Sequence, residues 1–148
     1  MMDLRELYQE IIIDHNRNPR NHYAMNDATT QANGFNPLCG DKLTLFLKLD
    51  KEQIEAVSFV GCGCAISQAS ASLMTDFLCG KTIAQAHQSF KQFHDMLTQE
   101  DDSNLAQLDK LTVLAGVREY PARVKCATLA WHTLEAALNK KAATVSTE

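Results

Sequence analysis

An α+β fold built on a small antiparallel sheet is predicted by three features of the sequence. Residues Lys42 to Leu49 alternate, with Leu43, Leu45, Leu47 and Leu49 on one face and Lys42, Thr44, Phe46 and Lys48 on the other, the signature of a half-buried strand. A polar turn, Asp50 to Gln53, leads into a second apolar run, Ile54 to Val60, so the two strands close as a hairpin. On either side of this hairpin, apolar residues recur at helical spacing.

The first helix starts at Asp3 and Glu6, which resemble a capping box, and carries Leu4, Leu7, Tyr8, Ile11 and Ile12 on one face as far as about His15. Asn18-Pro19 ends it, because the residue before proline is driven out of the helical region. Arg20 to Asn36 shows no sustained period and reads as a loop. Beyond the hairpin, Ile66, Ala69, Leu73 and Phe77 mark a helix that stops at Gly80. A further helix spans Ile83 to Met96. Thr98 to Asn104 is an acidic and polar connection, and a short helix follows over Leu105 to Leu114. Pro121 suits the first turn of the last helix, whose stripe is Val124, Ala127, Trp131, Leu134 and Leu138, with Lys140 and Lys141 at its end. Ala142 to Glu148 reads as a frayed tail.

The chain has 148 residues and a net charge of -4, which is the size of one domain, taken here as residues 1–148. A negative balance argues against nucleic acid as a partner, since phosphate binding needs clustered Lys and Arg. The N-terminal residues lack the apolar core of a signal sequence, and no stretch reaches the roughly 20 apolar residues that span a bilayer. No membrane association and a cytoplasmic location are therefore expected. In that reducing setting the cysteines, Cys39, Cys62, Cys64, Cys79 and Cys126, point to metal or thiol chemistry rather than to disulfides.

Cys39 and Asp41, two apart, project to one side of an extended chain and share the parity of Leu43 and Leu45. If Leu49 pairs with Ile54, the ladder continues through Leu43 with Val60 and sets Cys39 opposite Cys64; a one-residue slip would instead turn Val57 and Phe59 inward. Cys64 lies where strand gives way to helix, so free backbone donors favour its thiolate. Cys126 has Arg123 three residues back, a cation beside sulfur. Cys79 sits about 22 Å further along the helix from Cys64 and is read as a packed apolar residue. Cys62 is held in reserve as a ligand. Three thiolates and a carboxylate suit zinc, or iron. Aspartate is the unusual member, a hard ligand among soft ones and so the easiest to displace.

The segments Leu7-Tyr8-Gln9-Glu10-Ile11-Ile12, Asn18-Pro19-Arg20, Asn36-Pro37-Leu38-Cys39-Gly40-Asp41 and Gly63-Cys64-Ala65-Ile66-Ser67 resemble the IscU/NifU-like iron-sulfur assembly family. Ala69-Ser70-Ala71-Ser72-Leu73-Met74-Thr75 and Pro121-Ala122-Arg123-Val124-Lys125-Cys126-Ala127-Thr128-Leu129 are similar to its SufU-type branch. The resemblance implies a SufE/NifU-like α+β fold in which a small antiparallel sheet packs one face on several helices. It also implies that Cys39, Asp41, Cys64 and Cys126 are the metal ligands. For function, it implies a zinc-dependent sulfurtransferase that takes persulfide sulfur from a SufS-type cysteine desulfurase and serves downstream iron-sulfur assembly proteins. Cys39 is then the sulfur acceptor, Asp41 the labile ligand and Arg123 a thiolate stabiliser. Lys125 stands where the scaffold branch commonly has histidine, and Thr98 to Tyr120 is longer than in scaffolds. Two rivals are a scaffold that builds a transient iron-sulfur cluster on the same residues and a structural zinc site in a binding module. His15, His22, His87, His94 and His132 fall in no motif that pairs them with a cysteine.

Overall fold

The computed structural model describes residues 4–139 and 144–146, with side chains described from Gln9 to Asn139. In chain order it contains α1 (Leu4–Arg17), β1 (Thr30–Asn36), β2 (Asp41–Asp50), β3 (Gln53–Cys62), α2 (Ala65–Leu78), α3 (Ile83–Thr98), α4 (Leu105–Leu108), a run of 3-10 turns (Asp109–Glu119), α5 (Pro121–Leu138) and β4 (Thr144–Ser146). The sheet order is β3-β2-β1-β4, antiparallel except for the short β1–β4 pairing. The expected α+β architecture is present. The capping box expected at Asp3 and Glu6, and the side chains of Leu4, Leu7 and Tyr8, lie outside the described residues, as do Lys140 and Lys141.

Leu43, Leu45, Leu47, Ile54, Val57 and Phe59 form the covered face of the sheet, each nearly or wholly buried. Against it lie α2 and α5, and α3 closes the far side of α5, where Phe93 stacks on Trp131 with ring centroids 4.8 Å apart. α2 ends at Leu78, and Gly80, at φ 87°, turns the chain so that its N–H reaches Ile54 O at 2.9 Å.

Four sequence expectations need correction. The segment Arg20 to Asn36, read as loop, contains β1, a central strand of the sheet. Its inward residues are Ala32, Gly34 and Asn36, too small or too polar to announce a strand by hydropathy. They are small because α5 passes close: a Cβ at Gly34 would meet Thr133 Oγ1 and Leu129 Cδ1. The hairpin register also differs. It starts as expected, Leu49 opposite Ile54, but Glu55 bulges out, Lys48 pairs with Ala56, and thereafter Leu47 faces Val57 and Leu43 faces Gly61. The bulge inserts one residue, so Ile54, Val57 and Phe59 all reach the core despite their unequal spacing. Finally, within the tail read as frayed, Thr144–Ser146 pair with the free edge of β1, an edge that could not be anticipated while β1 itself read as loop. The expected helix over Leu105 to Leu114 is one α-turn followed by 3-10 turns as far as Glu119.

Candidate metal centre

The turn from β1 into β2, residues 37–40, carries Cys39 at one end of the sheet. Asn36 and Asp41 flank it as a cross-strand pair, both fully buried. α5 passes beneath and presents Cys126, also fully buried, so that its Sγ lies 3.1 Å from Cys39 Sγ. Ligand atoms of Cys39, Asp41 and Cys126 all fall within 4.8 Å of one another. Cys39 is partly exposed, the accessible member of the three.

Cys64 arrives by a different route from the one its spacing suggested. The bulge at Glu55 removes the ladder register that would have set it opposite Cys39, and Cys39 itself lies in a turn rather than on an extended strand. Instead Cys64 is the N-cap of α2, its Sγ accepting the Ser67 N–H at 3.4 Å. Its own backbone N–H donates to Asp41 Oδ1 at 2.8 Å. The thiol borders the cluster closely enough to help raise the Cys126 pKa, but it stands outside the compact group of three.

Burial is the main force pushing the Cys126 thiol up, followed by contact with Cys39 and Cys64, Coulombic repulsion from Cys64, and contact with Asp41. The neighbouring sulfurs and carboxylate thus add to burial in disfavouring a charge on Cys126. Arg123 is exposed at the rim, and Cys126 first, then Cys64 and Cys39, push its pKa higher still. Cys62 ends β3 opposite Lys42 and is exposed, outside the group. Cys79 lies at the other end of α2, as its distance required, but it is exposed rather than packed: at the C-cap its side chain leaves the helix face that meets the core.

The donor set fits a divalent cation. Asp41 is fully buried, and among the described residues no Lys, Arg or His forms an ion pair with it. A carboxylate out of water normally has a compensating charge. Zinc–sulfur bonds of about 2.3 Å give a tetrahedral sulfur–sulfur edge of about 3.8 Å, so the Cys39–Cys126 gap needs to open only slightly. Asn36 was not singled out for this centre from sequence, although its Nδ2 contacts both Asp41 Oδ2 at 3.2 Å and Cys126 Sγ at 3.6 Å. A buried amide at the end of an unrecognised strand leaves no hydropathic trace.

A small sheet covered by helices on one face, with two thiols and a buried carboxylate at its end, defines a class of α+β proteins with a centre suited to a soft divalent metal. The chain belongs to the NifU-like N-terminal domain family, whose model matches residues 7–127. It is 42% identical over 139 residues to the zinc-dependent sulfurtransferase SufU of Bacillus subtilis, covering 94% of each chain. It is 37% identical to the iron-sulfur cluster assembly scaffold protein IscU of Streptococcus pyogenes, covering 94% of this chain and 87% of that one. Among solved structures, a candidate iron-sulfur cluster assembly scaffold protein for the SUF system from Fervidobacterium islandicum superposes with a TM-score of 0.84 at 35% identity, covering 92% of this chain and 99% of that one.

Proposed function

We propose that this protein is a zinc-dependent sulfur acceptor that takes persulfide sulfur from a SufS-type cysteine desulfurase and passes it to downstream iron-sulfur assembly proteins. The observation that carries this reading is the unequal exposure within one cluster: Cys39 is partly exposed on a turn, whereas Asp41 and Cys126, within ligand distance of it, are sealed. A partner can reach one thiol without unpacking the fold. Lys125 in place of the scaffold branch's histidine, and the similarity to a SufU over nearly the whole chain, support relay over cluster building.

Cys39, Asp41, Cys64 and Cys126 would hold the metal. Bound zinc supplies the charge that keeps the thiols deprotonated at neutral pH. On contact with the partner Asp41, the labile ligand, would give up its place at the metal and free the Cys39 thiolate, while Cys126 stays buried on α5. Cys39 thiolate then attacks the outer sulfur of the desulfurase persulfide; a new sulfur–sulfur bond forms at Cys39 Sγ, the old one breaks, and the desulfurase cysteine leaves as thiolate. Arg123 at the rim favours the anionic form of the sulfur it faces. No helix among the described residues is long and apolar enough to cross a membrane.

Mass spectrometry after incubation with desulfurase and cysteine is expected to find the added sulfur on Cys39, and Cys39→Ser is expected to abolish it. An unmodified Cys39 beside a modified Cys126 defeats the assignment. The second reading, an iron-sulfur cluster scaffold, draws on the similarity to IscU and on a donor set that iron also accepts. Anaerobic reconstitution separates the two: a stable, transferable chromophore favours the scaffold, and tight zinc without cluster favours the relay.

A further inference from the structure

We propose that Asn36 is a positioning residue of the metal centre, its amide orienting Asp41 and Cys126 as ligands and tying to them the turn that carries Cys39; this rests on the reading of the cluster as a metal site. Asn36 is the last residue of β1, the cross-strand partner of Asp41, and wholly buried. Nδ2 has two hydrogens, and two acceptors meet it: Asp41 Oδ2 at 3.2 Å and Cys126 Sγ at 3.6 Å. Oδ1 faces the other way and accepts the Leu38 N–H at 3.3 Å. That third bond fixes the amide's orientation. Turned over, Oδ1 would meet a carboxylate and a sulfur, and Nδ2 would meet a backbone donor.

Asp41 Oδ1 is occupied as well, by the Cys64 N–H at 2.8 Å. Each carboxylate oxygen thus shares its electrons with one protein donor before any cation is considered. Such a carboxylate is held in a single orientation, and its donor strength is reduced, which gives a physical basis for a ligand that is well placed yet easily released. The second Asn36 hydrogen performs the same service for Cys126, holding its sulfur in one orientation. Through Leu38, the residue before Cys39, the same side chain links the exposed turn to the two sealed ligands.

The test uses the full chain and two variants. Asn36→Ala removes every side-chain bond, and Asn36→Ser retains one hydroxyl donor. Zinc affinity is measured by chelator competition, thiolate geometry by the charge-transfer bands of the Co²⁺-loaded protein, and folding by the thermal midpoint of the metal-free chain. Loss of a bond that orients a ligand weakens metal binding roughly 10- to 100-fold. Asn36→Ala is expected in that range with altered Co²⁺ bands, and Asn36→Ser between it and the parent. Zinc affinity within about twofold of the parent in a folded variant overturns the proposal; should Asn36→Ala fail to fold, Asn36→Ser decides alone. A parent protein that binds zinc yet accepts no sulfur from the desulfurase refutes the relay and leaves the role of Asn36 standing.

Discussion

Gly63 passes so close to Asp41 that a Cβ there would lie 2.8 Å from Oδ1, 3.3 Å from the Asp41 Cβ and 3.2 Å from Ser67 Oγ. That approach is what allows the Cys64 N–H to reach the carboxylate. A methyl group at residue 63 has to displace the carboxylate or Ser67 in the first turn of α2, and either shift disturbs the Cys64 N–H bond that holds Asp41. Gly63→Ala is therefore expected to weaken zinc binding by about tenfold or more, the usual cost of disturbing a ligand's supporting bonds. The check is chelator competition alongside the thermal midpoint of the metal-free chain; an unchanged zinc affinity in a folded variant would show that Asp41 contributes little to metal binding. Cys79 and Cys62 offer the contrast: both are exposed and outside the cluster.

Among the elements, β1 and α5 fix the site together, because α5 brings Cys126 to the turn between β1 and β2 only if the two backbones pack closely. Gly34 is the point of contact: a Cβ there would overlap Thr133 Oγ1 and approach Leu129 Cδ1 to 3.1 Å. Thr133 cannot easily turn aside, since its hydroxyl already donates to Leu129 O at 2.7 Å. Overpacking of this kind costs about 1–3 kcal/mol, so Gly34→Ala is expected to lower the thermal midpoint by about 5 °C. Adding Thr133→Ala should recover part of that loss, a non-additive coupling that a double-mutant cycle reads directly. If the two changes prove additive, the contact is not what limits residue 34. The same packing explains what the sequence revealed and what it did not. β2 and α5 were legible because their buried residues are large and regularly spaced, as in Leu43, Leu45 and Leu47 or Trp131 and Leu134. β1 was not, since close approach selects Ala32, Gly34 and Asn36, residues that resemble a loop. The β3 bulge was hidden because one extra residue, Glu55, changes facing without changing composition. Of the site, Cys39, Asp41 and Cys126 were grouped by the family resemblance and their ligand atoms lie within 4.8 Å of one another, whereas the route taken by Cys64 and the contacts of Asn36 depend on that unseen strand and bulge.

Taken as a whole, the molecule carries two histidines whose burial ties its stability to pH. His15, on α1, is 4% exposed and sits 2.7 Å from Ser72 Oγ of α2, which also accepts the Arg20 N–H. Burial first, and then the positive charge of Arg20, hold its pKa below the usual imidazole value, with Asp14 and Asp76 pulling the other way. His132, on α5, is held down by burial and then by His94, whose ring centroid lies 5.7 Å away across the contact with α3. Both rings are thus neutral in the fold at pH values where the unfolded chain has begun to take up protons. Since the unfolded state binds more protons, stability rises with pH. The two contributions are complete above the unfolded histidine value of about 6.5 and are lost as pH falls below it, with a slope of at most about 1.4 kcal/mol per pH unit for each group. The metal-free chain is the right subject, because ligand protonation would add its own pH dependence to the zinc form. Its thermal midpoint is expected to be nearly level between about pH 7 and pH 8 and to decline from about pH 6.5 downward. His15→Asn, which keeps a polar atom near the Nδ1 position facing Ser72, should start from a lower midpoint but show a shallower decline. A midpoint that holds level from pH 7 to pH 5, or a His15→Asn variant with the parent's slope, would show that the α1–α2 contact tolerates a charged ring.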